Sequence, residues 1–478
     1  MAQEVGIKLG PGNLLQPEVP EHEEFPTRCP QGCSINLLKQ PMKTFLHWFR
    51  NDLRLEDNFS LSQACLADRV VSVYCFDPRQ FEHDALGFPR TGPFRAQFLR
   101  ETVMDLQRRL RQKNIPLFIA YDLPEKVIPQ LVSRFGVQEI HTQREWTRDE
   151  VLVRDALAQL LPEEVDLHEH YDQFLFHPSE VPFESFEEIP EVFTRFRKGC
   201  ERKSRVRPCL PAPEKRPDAA WIEPRMEIPE PYQLNQYPRE PDQRSAFPFK
   251  GGSTAAWERL NAYFWEDQRL RYYKKTRNGL MGKDYSSKFS PWLALGALSA
   301  RQIYHEVKRF EEKVIRNQDT YWMVFELIWR DYFKYISLKH GNRIFQLKGI
   351  HGHQVPAGRS KDLLHQWIEG RTRNDFVNAN MLELAHTGWM SNRGRQNVAS
   401  YWARTLKQDW RIGAAYFESM LLDYDVHSNW GNWMYNSGVG NDPRNRTFNP
   451  DLQASRYDSK GQFRRLWLQP SLFEHQIG

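Results

Sequence analysis

Residues 44–54 read Thr-Phe-Leu-His-Trp-Phe-Arg-Asn-Asp-Leu-Arg, a strong strand pattern that runs directly into a charged turn. Further strand patterns follow at 70–76, 115–120, 137–141 and 165–167, and helical patterns separate them. Strands that alternate with helices favour a parallel sheet covered by helices on both faces. We therefore predict a doubly wound, Rossmann-like α/β domain.

The turn that follows the first strand, Arg50 to Arg54, contains no glycine. Dinucleotide-binding sheets use glycine at this turn so that the backbone can approach the pyrophosphate closely. The domain is therefore predicted to have the Rossmann shape without binding NAD.

Helical patterns dominate from Phe249 onward. Ser290-Pro291 is typical of a helix N-cap followed by Pro, Ser299 is a second N-cap, and 322–338 is a long aromatic helix. The segment from Asp423 to Trp467 is predicted to be rich in loops. The chain should thus be an α/β domain followed by an all-α domain.

A proline-dense stretch separates the two domains and carries a short helix candidate near Glu184–Phe196. Before the first strand, the chain shows no sustained period, which fits either a disordered extension or a start assigned too far upstream. The predicted divisions are 1–42 for this extension, 43–175 for the α/β domain, 176–247 for the linker, 248–468 for the helical domain and 469–478 for a tail.

Composition agrees with a two-domain globular protein, since 478 residues exceed one compact core and 40% of them are hydrophobic. The net charge of +5 is weak evidence for a polyanionic partner. No stretch is apolar enough to span a bilayer, and no secretory signal precedes the first strand. We expect a cytoplasmic monomer with six reduced cysteines and no metal site.

Hydroxyls and a lysine are concentrated in Tyr285–Pro291, at the start of a predicted helix. Unpaired backbone N–H groups at a helix start attract anions, so the segment is a candidate phosphate site. An ordinary serine-rich helix cap is the alternative.

A second candidate lies in the long aromatic helix, where Glu326, Trp329, Arg330 and Phe333 fall on one face. A carboxylate, a flat ring and a guanidinium together suit a nucleobase and its phosphate. The alternative is a surface ion pair beside a half-buried tryptophan.

A third candidate is Asp423–Tyr435, which combines acids, amides and aromatic rings and is predicted to be a loop. Such a segment could hydrogen-bond the edge of a heterocycle and stack on its face. The alternative is a polar loop anchored by its tryptophans.

The order of these motifs resembles the cryptochrome/photolyase family between Met42 and Trp467. The opening motif is His47–Asn58, and three segments are similar to the DASH branch: Thr276–Ser290, Ser391–Asn397 and Gly438–Asp442. The resemblance implies a helical FAD-binding domain and a blue-light-dependent flavoprotein.

It also implies roles for individual residues. FAD would be held by Tyr273, Ser286, Ser287, Lys288, Phe289, Ser290, Arg395, Asp423, Asp425 and Asn429. A damaged dipyrimidine would contact Glu326, Asn392, Trp329 and Tyr435. Asn429 would face N5 of the flavin. DNA would be bound by Arg330, Arg393, Gln396 and Arg446, and the phosphate contacts of the three arginines would carry no sequence information.

The resemblance implies photoreduction through a chain of three tryptophans, of which Trp433 and Trp410 match the first two. The third position falls at Ala357, which cannot carry an electron, and Trp402 on a nearby helix is a candidate substitute. Glu145 falls where DASH proteins hold a folate antenna, methenyltetrahydrofolate. A surface carboxylate after a strand is the alternative there.

The implied activity is a deoxyribodipyrimidine photolyase that repairs cyclobutane dimers by electron transfer from excited reduced FAD. Gln396 and Tyr435 match the DASH choice of a more polar, less stacking pocket, which repays base unpairing poorly and favours single-stranded DNA. The alternatives are a blue-light photoreceptor or DNA-binding regulator that signals through flavin redox state, and a light-independent electron-transfer flavoprotein.

Overall fold

The computed structural model describes residues 42–217, 228–234, 240, 242–442, 444 and 447–469. Apart from Met42, the predicted extension lies outside the described residues, and so do Arg446 and most of the predicted tail. The predicted domain divisions stay predictions.

A five-stranded sheet organises the first part of the chain, and every pairing in it is parallel. Its strands follow the order β3-β2-β1-β4-β5, which confirms the doubly wound α/β prediction. The strands are β1 Thr44–Phe49, β2 Arg69–Cys75, β3 Leu117–Ala120, β4 Glu139–Gln143 and β5 Asp166–His170, and the helices are α1 Phe59–Ala64, α2 Pro93–Gln112, α3 Pro124–Phe135 and α4 Arg148–Ala158.

Both faces of the sheet are covered, because successive side chains of a strand point in opposite directions. Leu46 and Trp48 of β1 pack with α3 and α4, whereas Phe45 and Phe49 join the large core that continues into the helical half. A parallel strand that is buried on both faces needs a continuous apolar run, and residues 44–49 provide it.

The predicted linker is partly ordered. It contains α5 Phe193–Lys203, which begins nine residues later than the predicted helix candidate at Glu184, and a short 3-10 turn at Phe186–Glu188. Phe193, Phe196 and Cys200 form the buried stripe of α5 and pack against the helical half.

The helical half confirms the all-α prediction. Ser299 caps α9 through a reciprocal capping box with Gln302, and Asn317 caps the long aromatic helix α10 in the same way. The helices are α6 Ser253–Asn261, α7 Tyr273–Thr276, α8 Ser290–Ala294, α9 Ala300–Lys313, α10 Gln318–His340, α11 Lys361–Ile368, α12 Asp375–Thr387, α13 Asn392–Ser400, α14 Trp410–Met420, α15 Val426–Ser437, α16 Pro450–Tyr457 and α17 Gln462–Leu468.

Two local predictions were wrong. The segment after Asp423 is mainly helical, since α15, α16 and α17 occupy most of it. Ser290 is the first helical residue of α8, and Phe289 takes the N-cap position.

The two halves meet through a buried cluster of charges. Arg301 of α9 donates to Asp57 through Nε, at 3.0 and 2.9 Å, and to Asp172 through Nη2 at 2.7 Å. Arg54 donates to the Gly296 carbonyl at 3.0 Å. These ion pairs and hydrogen bonds connect the turns of the sheet domain to the start of α9. They therefore fix the orientation of the helical half relative to the sheet domain.

Candidate functional site

A cavity of about 400 Å³ opens in the helical half, between α8, α10, α13 and α15. It brings together residues from all three sequence candidates. Those on its wall are Tyr273, Ser286, Ser287, Lys288, Phe289, Ser290, Glu326, Trp329, Arg330, Asn392, Arg395, Gln396, Asp423, Asp425, Asn429, Trp433 and Tyr435. The three segments therefore form one site rather than three.

Arg395 and Asp423 form an ion pair on the cavity wall, as the resemblance implied. Arg395 Nη2 donates to both carboxylate oxygens of Asp423, at 3.0 and 2.9 Å, while its Nε donates to the Met390 carbonyl. The carboxylate is almost fully buried, whereas a quarter of the arginine side chain is exposed. The pair therefore presents a fixed cationic edge to the cavity.

Asp425 has two structural roles that the sequence did not reveal. Its carboxylate caps α15 by accepting from the Ser428 N–H at 2.7 Å and pairs with the buried Lys334 at 3.1 Å. Burial alone would raise the pKa of Asp425, but Lys334, His427 and Arg330 hold this pKa well below its usual range. Asp425 is therefore an anion at neutral pH.

Asn429 lies on the first turn of α15, with its side chain against the cavity. Its amide nitrogen donates to the Ala414 carbonyl of α14 at 3.0 Å. The amide oxygen is consequently the atom left for a ligand. A neutral acceptor at this point suits an N–H donor and adds no charge.

Lys288 is the most unusual member of the site. Its backbone adopts φ +61°, and its ammonium lies 3.3 Å from the centre of the Tyr285 ring. Burial lowers the pKa of Lys288 well below its ordinary value, against the opposing effect of Glu383. Burial also raises the pKa of Glu383 to about 8, with Lys288 and Arg395 opposing that rise.

This raised pKa makes stability depend on pH in a defined direction. The pKa of Glu383 is about 8 in the fold against an ordinary 4.5, so the stabilising contribution of its protonated form is complete below about pH 4.5 and is lost as pH rises through about 8. Glu383→Gln should remove this dependence. Relative to the native protein, the variant's free energy of unfolding should improve between pH 5 and pH 8 in denaturant titrations.

The exposed Glu369→Gln serves as a matched control, for which no such improvement is expected. An improvement of equal size in both variants would show that the effect does not come from Glu383.

Two cavity-lining residues, Glu326 and Trp329, make contacts that sequence reasoning missed. Arg277 Nη1 lies 2.5 Å from a carboxylate oxygen of Glu326, and the Phe193 ring stacks on Trp329 with centroids 3.7 Å apart and planes 13° apart. Burial raises the pKa of Glu326, and Arg277 opposes that rise. Neither contact leaves a local signal, because Phe193 lies in the linker and Arg277 follows a four-residue helix.

Arg393 and Trp410 are not among the described residues that line the cavity. Arg393 donates to Gln396 and Asn278 beside the site, and Trp410 donates to the Leu347 carbonyl. Arg330 lines the cavity, but its guanidinium donates to the carbonyls of Gln173 and Leu293. Arg446 lies outside the described residues.

Glu145 lines a second cavity, of about 730 Å³, which opens between the sheet domain and the helical half. It accepts from Gln143 at 2.8 Å and is 7% exposed, so it is not the surface carboxylate considered from sequence.

Two family models match the chain: "DNA photolyase" over residues 45–217 and "FAD binding domain of DNA photolyase" over residues 322–474. The cryptochrome DASH of Gloeobacter violaceus is 49% identical over 429 residues, which cover 89% of this chain and 85% of the relative. The cryptochrome DASH of Xenopus laevis is 45% identical and covers 90% and 83%.

The chain belongs to the DASH cryptochromes of the photolyase family. The crystal structure of a Synechocystis cryptochrome is similar to this DASH cryptochrome with a TM-score of 0.86 and 44% identity, covering 90% of this chain and 89% of that one. A class III photolyase from Agrobacterium tumefaciens is similar with a TM-score of 0.76 and 25% identity, covering 91% and 88%.

The cavity of this DASH cryptochrome fits the flavin that its FAD-binding domain takes. Within the described residues, two buried donors on the wall have no hydrogen-bond partner, Lys288 Nζ and Trp433 Nε1. Buried donors are normally satisfied, so unpaired ones on a cavity wall indicate a missing ligand. No helix in the described part of the chain is long and apolar enough to cross a membrane.

Proposed function

We propose that this DASH cryptochrome is a blue-light-dependent lyase that repairs cyclobutane pyrimidine dimers, preferentially in single-stranded DNA. The observation that carries the proposal is the set of side chains around the cavity above Asn429. A carboxyl group, an amide and two aromatic rings converge there: Glu326, Asn392, Trp329 and Tyr435. A protein that only signalled would not need this dimer-sized recognition surface.

Each group has a defined task in this proposal. Glu326 and Asn392 hydrogen-bond the polar edges of the two pyrimidines, while Trp329 and Tyr435 confine them from the side. The ring planes of Trp329 and Tyr435 are nearly perpendicular, at 89°, so they form a corner rather than a parallel slot. Such a corner suits two fused bases better than one flat base.

A bound FAD would supply the light-driven transfer of one electron to and from the dimer. The chain orients the partners and excludes water. Tyr273, Ser286, Ser287, Lys288, Phe289 and Ser290 would hold the ribityl and phosphate part, and Arg395, Asp423, Asp425 and Asn429 would hold the ring. Arg395 provides positive charge for an electron-rich flavin, and Asn429 offers an oxygen acceptor without adding negative charge.

The preference for a single strand follows from the cost of extracting the dimer. Photolyases are among the enzymes that turn their target out of the duplex, which costs a few kcal/mol that a single strand avoids. Gln396 is engaged by Arg393 at 2.9 Å, and the smaller Tyr435 stands where a larger ring would stack on bases more strongly. The site therefore offers little to offset duplex opening.

The test is repair of an oligonucleotide that contains one dimer, single- or double-stranded, by chemically reduced protein under blue light. We expect repair of the single strand at a higher rate than repair of the duplex, and no repair in the dark. Glu326→Ala should lower the rate, whereas Glu369→Ala, in an exposed pair with Arg371 and outside the cavity lining, should not. Absence of repair on both strand forms would favour the photoreceptor.

Phe193 is predicted to support substrate binding from behind, because it covers one face of Trp329. Phe193→Leu removes the ring stack, worth about 0.5–1.5 kcal/mol beyond area burial, and lets Trp329 rotate. We expect weaker binding of the dimer-containing strand, measured by fluorescence titration.

The matched control is Phe183→Leu in the same linker, whose ring stacks on Phe196 instead. Equal weakening of binding in both variants would mean that the linker acts only through general stability.

We also propose that the second cavity holds a folate antenna, methenyltetrahydrofolate, against Glu145. Burial raises the pKa of Glu145, so the group can act as a partner for ring N–H donors in either protonation state. Glu145→Gln should lower the folate retained after purification, measured by absorbance, while Asp149→Asn at the cavity rim should not.

A monomeric state and a cytoplasmic location complete the proposal. The relative from Arabidopsis thaliana is named chloroplastic/mitochondrial, so cell fractionation with an antibody to this chain is the relevant test. Light scattering tests the monomer.

A further inference from the structure

We infer that electrons reach the flavin of this protein through a branch of three buried tryptophans, Trp433–Trp367–Trp402, that ends beneath the surface position Ala357. The inference rests on the proposed flavin site but concerns how the flavin is reduced, not the repair step.

The branch begins at the cavity wall. Trp433 lines the cavity, and its ring centroid lies 6.2 Å from that of Trp367 of α11, with planes 76° apart. Phe417 packs beside this pair, 5.1 Å from Trp433 and 6.3 Å from Trp367. Trp433 and Trp367 are almost completely buried, so a charge on either ring is shielded from water.

The branch continues to Trp402, whose ring centroid lies 5.1 Å from that of Trp367 at 33° between planes. Trp402 belongs to the π-helical turn Tyr401–Thr405, which continues α13. The added residue of a π turn shifts the side chains that follow, and such turns are frequent at functional sites. Sequence comparison alone named Trp402 but not the ring of Trp367 that connects it to the cavity.

The far end of the branch lies under the missing third tryptophan. Trp402 Nε1 donates to the Asp409 carbonyl at 2.9 Å, the Asp409 N–H donates to the Gly358 carbonyl at 2.8 Å, and Gly358 follows the exposed Ala357. Two hydrogen bonds through Asp409 therefore connect Trp402 to the exposed segment at Ala357, where the resemblance expected a tryptophan.

Hydrogen bonding indicates which tryptophan would retain the positive charge after oxidation. Among the described residues, Trp367 Nε1 has no hydrogen-bond partner, so an oxidised Trp367 ring has no acceptor for its proton and keeps a mobile positive charge. The N–H of Trp402 already donates to a carbonyl, and hydrogen bonds strengthen when the donor carries charge. The tryptophan radical is therefore expected to persist on Trp402.

The electron balance is as follows. Trp433 gives one electron to the photoexcited oxidised flavin, Trp367 refills Trp433, and Trp402 refills Trp367. The net result is one electron gained by the flavin and one lost by Trp402. A thiol reductant in solution returns that electron through the thin layer at Ala357, and the thiol is oxidised.

Trp410 offers a competing route. Its ring lies 5.7 Å from that of Trp430, which contacts Phe345, and its N–H donates to the Leu347 carbonyl. That route leads toward the second cavity, away from Ala357, so replacement of single tryptophans separates the two routes.

The experiment compares Trp367→Phe, Trp402→Phe and Trp410→Phe in the FAD-loaded protein. Flavin bleaching under blue light with a thiol gives the rate of photoreduction, and electron paramagnetic resonance detects the light-induced tryptophan radical. We expect Trp367→Phe and Trp402→Phe to slow bleaching by about tenfold or more, the effect of roughly 1.4 kcal/mol on a barrier. Trp410→Phe should bleach at close to the native rate, and the radical signal should disappear in Trp402→Phe.

Two controls exclude a folding effect. Trp367→Tyr, which keeps an oxidisable ring, should bleach faster than Trp367→Phe; equal slowing would mean that Trp367 only packs, and the inference would fail. Loss of bleaching in Trp410→Phe with a native rate in Trp367→Phe would also overturn it. Repair by chemically reduced Trp367→Phe should proceed at the native rate. Failure of repair in the native protein would contradict the proposed function. This inference would then still be tested by the bleaching rates.

Discussion

Replacement of Arg301 by methionine is expected to lower the free energy of unfolding by about 3–5 kcal/mol, because it removes the cation that hydrogen-bonds two buried carboxylates and leaves Asp172 with only the longer 3.7 Å pair to Arg54. Asp57 is fully buried, Asp172 is 1% exposed, and Arg301 bridges them from the start of α9. Methionine keeps much of the aliphatic volume, so the loss reports on charge rather than on a cavity. Urea unfolding followed by circular dichroism measures the effect.

A control on the same helix makes this result interpretable. Arg309 of α9 is about half exposed and pairs with Glu306 one turn earlier. Exposed pairs of this kind contribute about 0.2–1 kcal/mol, so Arg309→Met should change stability little. Similar losses in the two variants would contradict the role assigned to burial at the junction between the halves.

Replacement of Asp425 by alanine is the second large effect, with an expected loss of about 3–5 kcal/mol from the buried Lys334 that remains unpaired. Lys334 is 4% exposed, and Asp425 is its hydrogen-bonded carboxylate partner at 3.1 Å. Alanine also removes the cap of α15, for which about 1 kcal/mol is typical. Retained FAD should fall as well, because α15 carries Asn429.

Two further variants divide that loss into its parts. Asp425→Ser keeps a capping oxygen and loses the charge, so it should recover only the capping share. Combining Asp425→Ser with Lys334→Met removes both charges and should restore most of the remaining stability. If Asp425→Ser alone were as stable as the native protein, the ion pair would have no energetic importance.

The architecture could be predicted from local sequence because strands, caps and helix faces are properties of neighbouring residues. The apolar run at 44–49 became a central parallel strand, and Ser299 became a cap with its partner three residues on. The same local reasoning was wrong for α15, whose residues include glycine, asparagine and tryptophan and have modest helix propensity. Packing explains the difference: a Cβ on Gly431 would lie 2.3 Å from the Phe333 ring, so glycine lets α15 approach α10 closely.

The candidate site also has a part that could be predicted from sequence and a part that could not. The residues of the flavin cavity were named from motifs and from a family resemblance, and the structure places most of them on one wall. The partners that control them were not: Arg277 for Glu326, Phe193 for Trp329, Lys334 for Asp425 and Trp367 for Trp402. In the second and third pairs, 91 residues or more of the chain separate the partners.

Sequence by itself determined that this chain is a sheet domain followed by a helical flavin domain, and it named many residues that line the cavity. It could do so because periodicity, capping and motif spacing depend on residues within a few turns of one another. Only the tertiary structure decided which charges are buried together and which rings touch. Those contacts arise where distant segments pack, and burial then determines whether a carboxylate is a weak surface partner or a major part of stability.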